Sequence, residues 1–159
     1  MKYKKKYEKI FFRKKNKSKN YLKFLKKEFF KRKEFLIEKA KDYMYSPYLY
    51  GGETKTGIDC SAFIKNVFAS YKITLPRISY NQAKKGFFVP KKKIEKGDLL
   101  FFATGSSKKI NHVGMVIYVN PNNIFFIHAS TSNGVIISQL YQKYWNNRFV
   151  TARRIIYPS

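Results

Sequence analysis

Apolar residues along this chain keep one spacing up to about residue 93 and another beyond it. From Tyr21 to Met44 the positions Tyr21, Leu22, Phe24, Leu25, Phe29, Phe30, Phe35, Leu36, Ile37, Ala40 and Tyr43 recur at roughly helical intervals with charges between them, which predicts one or two helices. Ser46-Pro47 is the expected stop, and Tyr48-Leu49-Tyr50-Gly51-Gly52 with Thr56-Gly57 reads as a glycine-containing loop. A second helix is expected over about Cys60 to Tyr71, with Phe63, Val67 and Phe68 on its buried face. The opening stretch, Met1 to about Asn20, is lysine-rich with aromatics scattered at no clean period, so a loose or partly helical segment is expected there.

After Pro76 a helical turn is expected around Ser79 to Lys84, then Gly86 and a basic loop at Pro90 to Lys93. Strand-like runs follow. Gly97 to Phe102, His112 to Val119, Ile124 to Ser130 and Val135 to Gln139 are short and apolar, and Asn120 to Asn123 and Ser132-Asn133-Gly134 between them read as turns. Tyr141 to Asn146 suggests a brief helical turn and Phe149 to Ile156 a closing strand. Close, consecutive strands favour an antiparallel meander, and helices followed by a sheet give an α+β class.

The 159 residues suit one domain, and 44% hydrophobic with 18% aromatic is enough for a core. One cysteine excludes an internal disulfide framework, and two histidines without CxxC or HxxxH spacing argue against a zinc site. No metal or organic cofactor is expected. No apolar run approaches the ~18 residues that span a bilayer, so a soluble or peripheral chain is expected. The formal charge is +25. Residues 1–45 hold 18 Lys or Arg against 5 Asp or Glu, and the remainder 16 against 4. Such an excess suits an anionic membrane or wall surface, yet the abundance of Lys, Asn, Ile, Phe and Tyr together equally fits A/T-rich codon usage. Specific nucleic-acid recognition is not expected, because no RNP-like strand, zinc-finger spacing or helix-turn-helix is present in the sequence.

The candidate chemistry rests on three residues. Cys60 follows Gly57-Ile58-Asp59 at a predicted helix N-terminus, a position that favours a thiolate. His112 and His128 lie on neighbouring strand-like runs, so a base and its orienting partner can share one hairpin. Asp59 is read as a cap or loop brace, since a carboxylate beside a thiolate raises the thiol pKa. Asp98 is read as a turn-former, and Gly51, Gly52 and Gly114 as points of close backbone approach.

At these residues a resemblance becomes specific. Tyr48 to Gly52, Gly57 to Phe63, Leu75-Pro76-Arg77, Gly97 to Phe102, His112 to Ile117 and Ile127 to Ser130 resemble, in that order, the NlpC-type cell-wall cysteine peptidases. The resemblance runs from about residue 33 to 157, which divides the chain into a lysine-rich segment, residues 1–32, and a peptidase domain, residues 33–159. Gly134 to Ser138, Tyr144-Trp145 and Ala152-Arg153-Arg154 resemble, more narrowly, the Spr-type murein DD-endopeptidases. The resemblance implies a papain-like fold with the nucleophile's helix packed on an antiparallel sheet. It assigns Cys60 as nucleophile, His112 as general base and acid, and His128 as the group that orients His112. Tyr48 is the implied second oxyanion donor beside the Cys60 N–H, and Ser61 and Arg77 are candidate substrate contacts, Arg77 equally readable as a surface charge.

The implied activity is hydrolysis of the D-alanyl to diaminopimelyl cross-link of peptidoglycan, with peptide stems as the partner. Cleavage of the D-glutamyl to diaminopimelyl bond within one stem is the alternative of the same class. A non-catalytic basic wall- or nucleic-acid-binding protein is the alternative of another. A cell-envelope or periplasmic location is expected from the substrate, although the sequence has no clear signal peptide and no lipoprotein cysteine ahead of Cys60.

Overall fold

The computed structural model describes the backbone of residues 2–157 and side chains from residue 16 to 157. Helix α1 (Lys2–Lys41) is followed by a hairpin of two short strands, β1 (Glu53–Thr54) and β2 (Gly57–Ile58), and then by helix α2 (Cys60–Ala69). One turn, α3 (Ser79–Gln82), precedes strands β3 (Phe87–Val89), β4 (Leu99–Phe102), β5 (His112–Asn120), β6 (Asn123–Ser130) and β7 (Gly134–Gln139). Helix α4 (Lys143–Arg148) and strand β8 (Phe149–Arg154) complete the order.

Six strands form one sheet in the order β3-β8-β4-β5-β6-β7, every pair antiparallel. Strands β4 to β7 are the meander expected from the sequence, and β8 returns beside β4. Strand β3 lies in a stretch without a strand signature, because Phe87 and Phe88 are exposed and only Val89 is buried. Its pairing with β8 is a tertiary event. The β1–β2 hairpin likewise occupies the predicted glycine loop.

Both faces of the sheet are covered, which explains the unbroken Leu-Leu-Phe-Phe of β4. Leu99 and Phe101 join Phe63, Val67 and Phe68 of α2 and Leu36, Ile37 and Ala40 of α1 in one core. Leu100 and Phe102 join Phe126, Leu140 and Ala152 in the other, with Trp145 and Phe149 packed against it. Each fully buried side chain of this size stabilises by about 1.5–3 kcal/mol relative to exposure.

The predicted one or two helices form a single rod. Among its described side chains the packing begins near Phe29: Phe29 is half-buried, Leu36, Ile37 and Ala40 are buried, and residues 16–24 are exposed. Lys33 bonds Glu95 at 3.0 Å and Lys96 bonds Glu34 at 3.2 Å, fastening this end to the loop before β4. The helix stops at Lys41, ahead of Ser46-Pro47, because the edge of β7 captures the chain. Tyr45, at φ +66°, donates its N–H to the Val135 carbonyl, and Val135 donates to the Ser46 carbonyl.

Candidate active site

Cys60 is the first residue of α2, and the chain prepares that position with charges. Asp59 is the N-cap: its Oδ1 accepts the Ala62 N–H at 2.8 Å and its Oδ2 accepts the Gly51 N–H at 3.1 Å. Asp59 therefore satisfies a free helix donor and pins the glycine loop at once. Arg77 closes the cluster. Its Nη1 and Nη2 bond the two Asp59 oxygens at 2.9 and 2.7 Å, Nη1 also donates to the Ser61 hydroxyl at 2.9 Å, and Nε reaches Glu53 at 2.9 Å. Four of its five N–H donors are thus used within the protein. Ser61 Oγ in turn donates to Asp59 Oδ1 at 3.3 Å. Gln82, fully buried, donates to the Ser61 and Pro76 carbonyls at 3.0 and 2.8 Å and holds α3 against the start of α2.

The histidines come from adjacent strands. His112 Nε2 lies 2.9 Å from His128 Nδ1, and His128 Nε2 lies 2.8 Å from Ser138 Oγ on β7. Gly114 makes this approach possible, since a Cβ there would lie 2.7 Å from the Phe126 ring and 3.1 Å from the His128 Cβ. Trp145 stacks on His112 with ring centres 5.3 Å apart and meets His128 edge-on at 4.8 Å. Phe102 and Phe126 complete an aromatic box around the pair.

The two halves meet at the sulfur. Cys60 Sγ donates to the Asn111 carbonyl at 3.7 Å, and the Val113 N–H points back at it. The peptide groups on either side of His112 therefore touch the thiol. Burial pushes the Cys60 pKa up to about 11, aided by the Asp59 charge and opposed by the N–H groups of Val113 on β5 and of Ser61 and Cys60 at the helix start. Burial likewise brings His112 down to about 4, and burial with the neighbouring His112 places His128 well below its ordinary value. Burial therefore works against the thiolate expected from the helix N-terminus, while the N–H groups of Val113, Ser61 and Cys60 favour it. Burial works to raise the Asp59 pKa, but its bonds to Arg77, Ala62 and Gly51 hold it below the ordinary value.

Two hollows flank this junction. A cleft of about 610 Å³ is lined by Tyr48, Tyr50, Cys60, Ser61, Arg77 and Asn111 among others. Burial and the charges of Cys60, Asp59 and Tyr50 raise the Tyr48 pKa, against a smaller opposing effect of Arg77, so its hydroxyl keeps its proton at neutral pH. A recess of about 270 Å³ is lined by His112, Ser130, Ser132, Asn133, Tyr144 and Trp145 among others. Cys60 borders only the first and His112 only the second.

All six residues singled out in the sequence border one or other hollow or lie against it. Tyr48, Cys60, Ser61 and Arg77 gather at the cleft, and His112 lines the recess with His128 behind it. Ser138 and Trp145 were not recognised as site residues. Strand alternation carried a signal for Ser138, since His128 pairs with Ile136 and Ser138 falls two residues on, on the same face. Trp145 belongs to the Tyr144-Trp145 pair of the resemblance, but nothing local placed it at the site, because α4 reaches the histidines only through the fold. Among the described residues no group of three or more His, Cys, Asp or Glu side chains is placed to hold a metal ion.

Known proteins resemble this chain in sequence and fold. The chain is 40% identical over 128 residues to the Escherichia coli K12 protein named Murein DD-endopeptidase MepS/Murein LD-carboxypeptidase, a match that covers 80% of this chain and 65% of that one. It is 42% identical over 121 residues to the probable endopeptidase NlpC of the same organism, covering 76% of each. Among solved structures, an NlpC/P60 family protein from Bacillus cereus superposes with a TM-score of 0.69 at 33% identity, over 79% of this chain and 40% of that one. The NlpC/P60 family profile matches residues 45–154, which takes in Cys60, both histidines and Ser138, and with it the chain belongs to the NlpC/P60 family.

Proposed function

We propose that this protein is a cysteine peptidase that cuts the D-alanyl to diaminopimelyl cross-link of peptidoglycan through an acyl-enzyme. The observation that carries the reading is the hydrogen-bonded His112–His128 pair at 2.9 Å beside a thiol at a capped helix start. The relative named Murein DD-endopeptidase MepS/Murein LD-carboxypeptidase supports the choice of bond.

The hydrogen-bond chain defines which atom of His112 does the work. With Nε2 committed to His128, Nδ1 is the free base. In the productive tautomer His112 Nε2–H donates to His128 Nδ1, and His128 Nε2–H donates to Ser138 Oγ. Starting from a neutral pair, the Cys60 proton moves to His112 Nδ1 as the sulfur attacks the scissile carbonyl carbon. The oxyanion receives the Cys60 N–H and the Tyr48 hydroxyl. His112 then protonates the departing nitrogen as the C–N bond breaks, leaving a thioester. A water gives its proton to Nδ1 and attacks, and the C–S bond breaks with return of that proton to sulfur. Every proton is accounted for by one imidazole, and the scheme uses no cofactor.

Arg77 and Ser61 act here as braces for Asp59 rather than as substrate contacts, a role supported by the number of their donors already engaged. The peptidase domain begins within α1, near Lys33, where its burial starts. The preceding stretch carries exposed Tyr21, Leu22 and Phe24 among lysines, which suits an anionic membrane or wall surface at the cell envelope.

Purified protein and a Cys60→Ala variant are incubated with cross-linked muropeptides and intact sacculi, and products are identified by mass spectrometry. Conversion of dimers to monomers by the wild type alone is the expected result. Shortened stems with intact cross-links would move the scissile bond to the D-glutamyl to diaminopimelyl position. No product from either protein would remove the enzymatic reading.

A further inference from the structure

Helix α1 carries an exposed aromatic stripe that runs from its free half onto the folded domain. At about 100° per residue, Tyr21, Phe24 and Phe35 fall within about 60° of one another on one side of the helix and span about 21 Å along it. All three are exposed. Phe35 meets the exposed Tyr71, just after α2, edge-on with ring centres 5.4 Å apart, so the stripe ends on the domain itself. The side of α1 that buries Leu36 and Ala40 lies about 90° or more further round. The stripe is therefore not a continuation of the core-facing side.

Cations sit among these rings. The Arg32 guanidinium lies 5.9 Å from the centre of the Tyr71 ring, and the Lys39 ammonium 5.5 Å from that of Phe35. Among the described residues Glu28 is the one acid of α1 in this sector, and it is paired with Lys31 at 3.5 Å. Residues 16–27 hold five lysines and no acid. This chemistry decides among the occupants of the stripe. A second copy brings another lysine-rich helix, and chains of charge +25 repel each other. A wall polymer supplies anions for the lysines but no apolar layer for the rings. An anionic bilayer supplies both, with acidic head groups for the cations and a boundary at which aromatic rings settle.

We propose that the face formed by Tyr21, Phe24, Phe35 and Tyr71 is a docking surface for an anionic lipid bilayer, with α1 lying in the plane of the membrane. The proposal rests on the surface reading of the basic N-terminal stretch and deepens it, naming lipid as the partner and carrying the contact onto the domain. It stands apart from the peptidase chemistry, since none of these residues borders the cleft or the recess.

The test sediments the whole chain with vesicles of phosphatidylcholine, with and without phosphatidylglycerol. Binding to the anionic vesicles alone, weakened by salt, is the expected result. Phe24→Ser is expected to weaken it about tenfold and Phe30→Ser to leave it unchanged. Phe30 is the matched control: Phe24 is 56% and Phe30 58% exposed, but Phe30 lies about 150° round the helix from the middle of the stripe. Thermal melting confirms that both variants fold. Equal losses in the two variants, or none in either, would reduce the contact to charge without direction and overturn the face. Binding to sacculi without binding to vesicles would overturn lipid as the partner and keep the broader surface reading, and binding to neither would overturn both. A doubling of mass in solution that Phe24→Ser abolishes would overturn the proposal by assigning the stripe to a second copy.

Discussion

Cys60 stands at the edge of a cluster of charges that all have partners, whereas His112 and His128 stand in an aromatic box where no charged side chain bonds them. The first side is fixed by directional bonds from Arg77 and Asp59 that set where the helix begins. The second is fixed by exclusion of water, with one relay of neutral hydrogen bonds ending at Ser138. Charge fixes the position of Cys60, while burial works to raise its pKa and to lower that of His112. The contrast separates two tasks that a single thiolate–imidazolium pair would combine.

The largest expected effect breaks the charged side. Arg77→Ala leaves the Asp59 side chain, 12% exposed, with no counter-charge, and urea unfolding should show a loss of about 3 kcal/mol. Arg77→Lys should restore only part, because a single ammonium cannot reproduce the fork. Unchanged stability with a raised KM would instead make Arg77 a substrate contact.

Acid should break the histidine side next. His112 is held near pH 4, below its ordinary value, so between there and pH 6.5 the unfolded chain binds the proton that the folded chain refuses. Stability is therefore complete above about pH 6.5 and falls as pH drops toward 4, by about 3 kcal/mol at most, with His128 acting in the same direction. Asp59, held below the ordinary carboxylate value, keeps its contribution until more acidic pH. Urea midpoints at pH 7, 5.5 and 4 test this, and a flat series would refute neutral burial of the pair.

Burial of Cys60 also shapes the expected reactivity of the thiol. With Cys60 near 11, alkylation by iodoacetamide should rise about tenfold per pH unit, or about a hundredfold from pH 7 to 9. A rate independent of pH in that range would signal a preformed ion pair. The smallest effect belongs to the end of the relay. Ser138→Ala should lower kcat about tenfold with little change in KM, and Ser138→Thr should recover most of it, because only a hydroxyl holds His128 in the tautomer that frees His112 Nδ1.

The parts of this molecule that the sequence revealed are those whose signal is local. Helix α2, its Asp59 cap and the strands β4 to β7 are visible in apolar period and turn residues, and Cys60, His112 and His128 stand out because each is rare and set at the end or within a regular element. Strand β3 was not visible, since two of its three residues face solvent and only β8 makes it a strand. Helix α1 ends at Lys41, three residues before the expected Met44, because the edge of β7, about ninety residues away, captures the chain.

Sequence by itself determined the fold class and the order of α2 and strands β4 to β8, because hydrophobic period is written along the chain. Rare residue types in a family-like order identified the candidate nucleophile and its histidines. Only the tertiary structure decided that Arg77 bonds Asp59, that Ser138 and Trp145 lie on the histidine side, and that burial pushes the pKa of the thiol up. Those outcomes depend on burial and on distances between residues far apart in the chain, and desolvation acts on a group only once its neighbours have been folded around it.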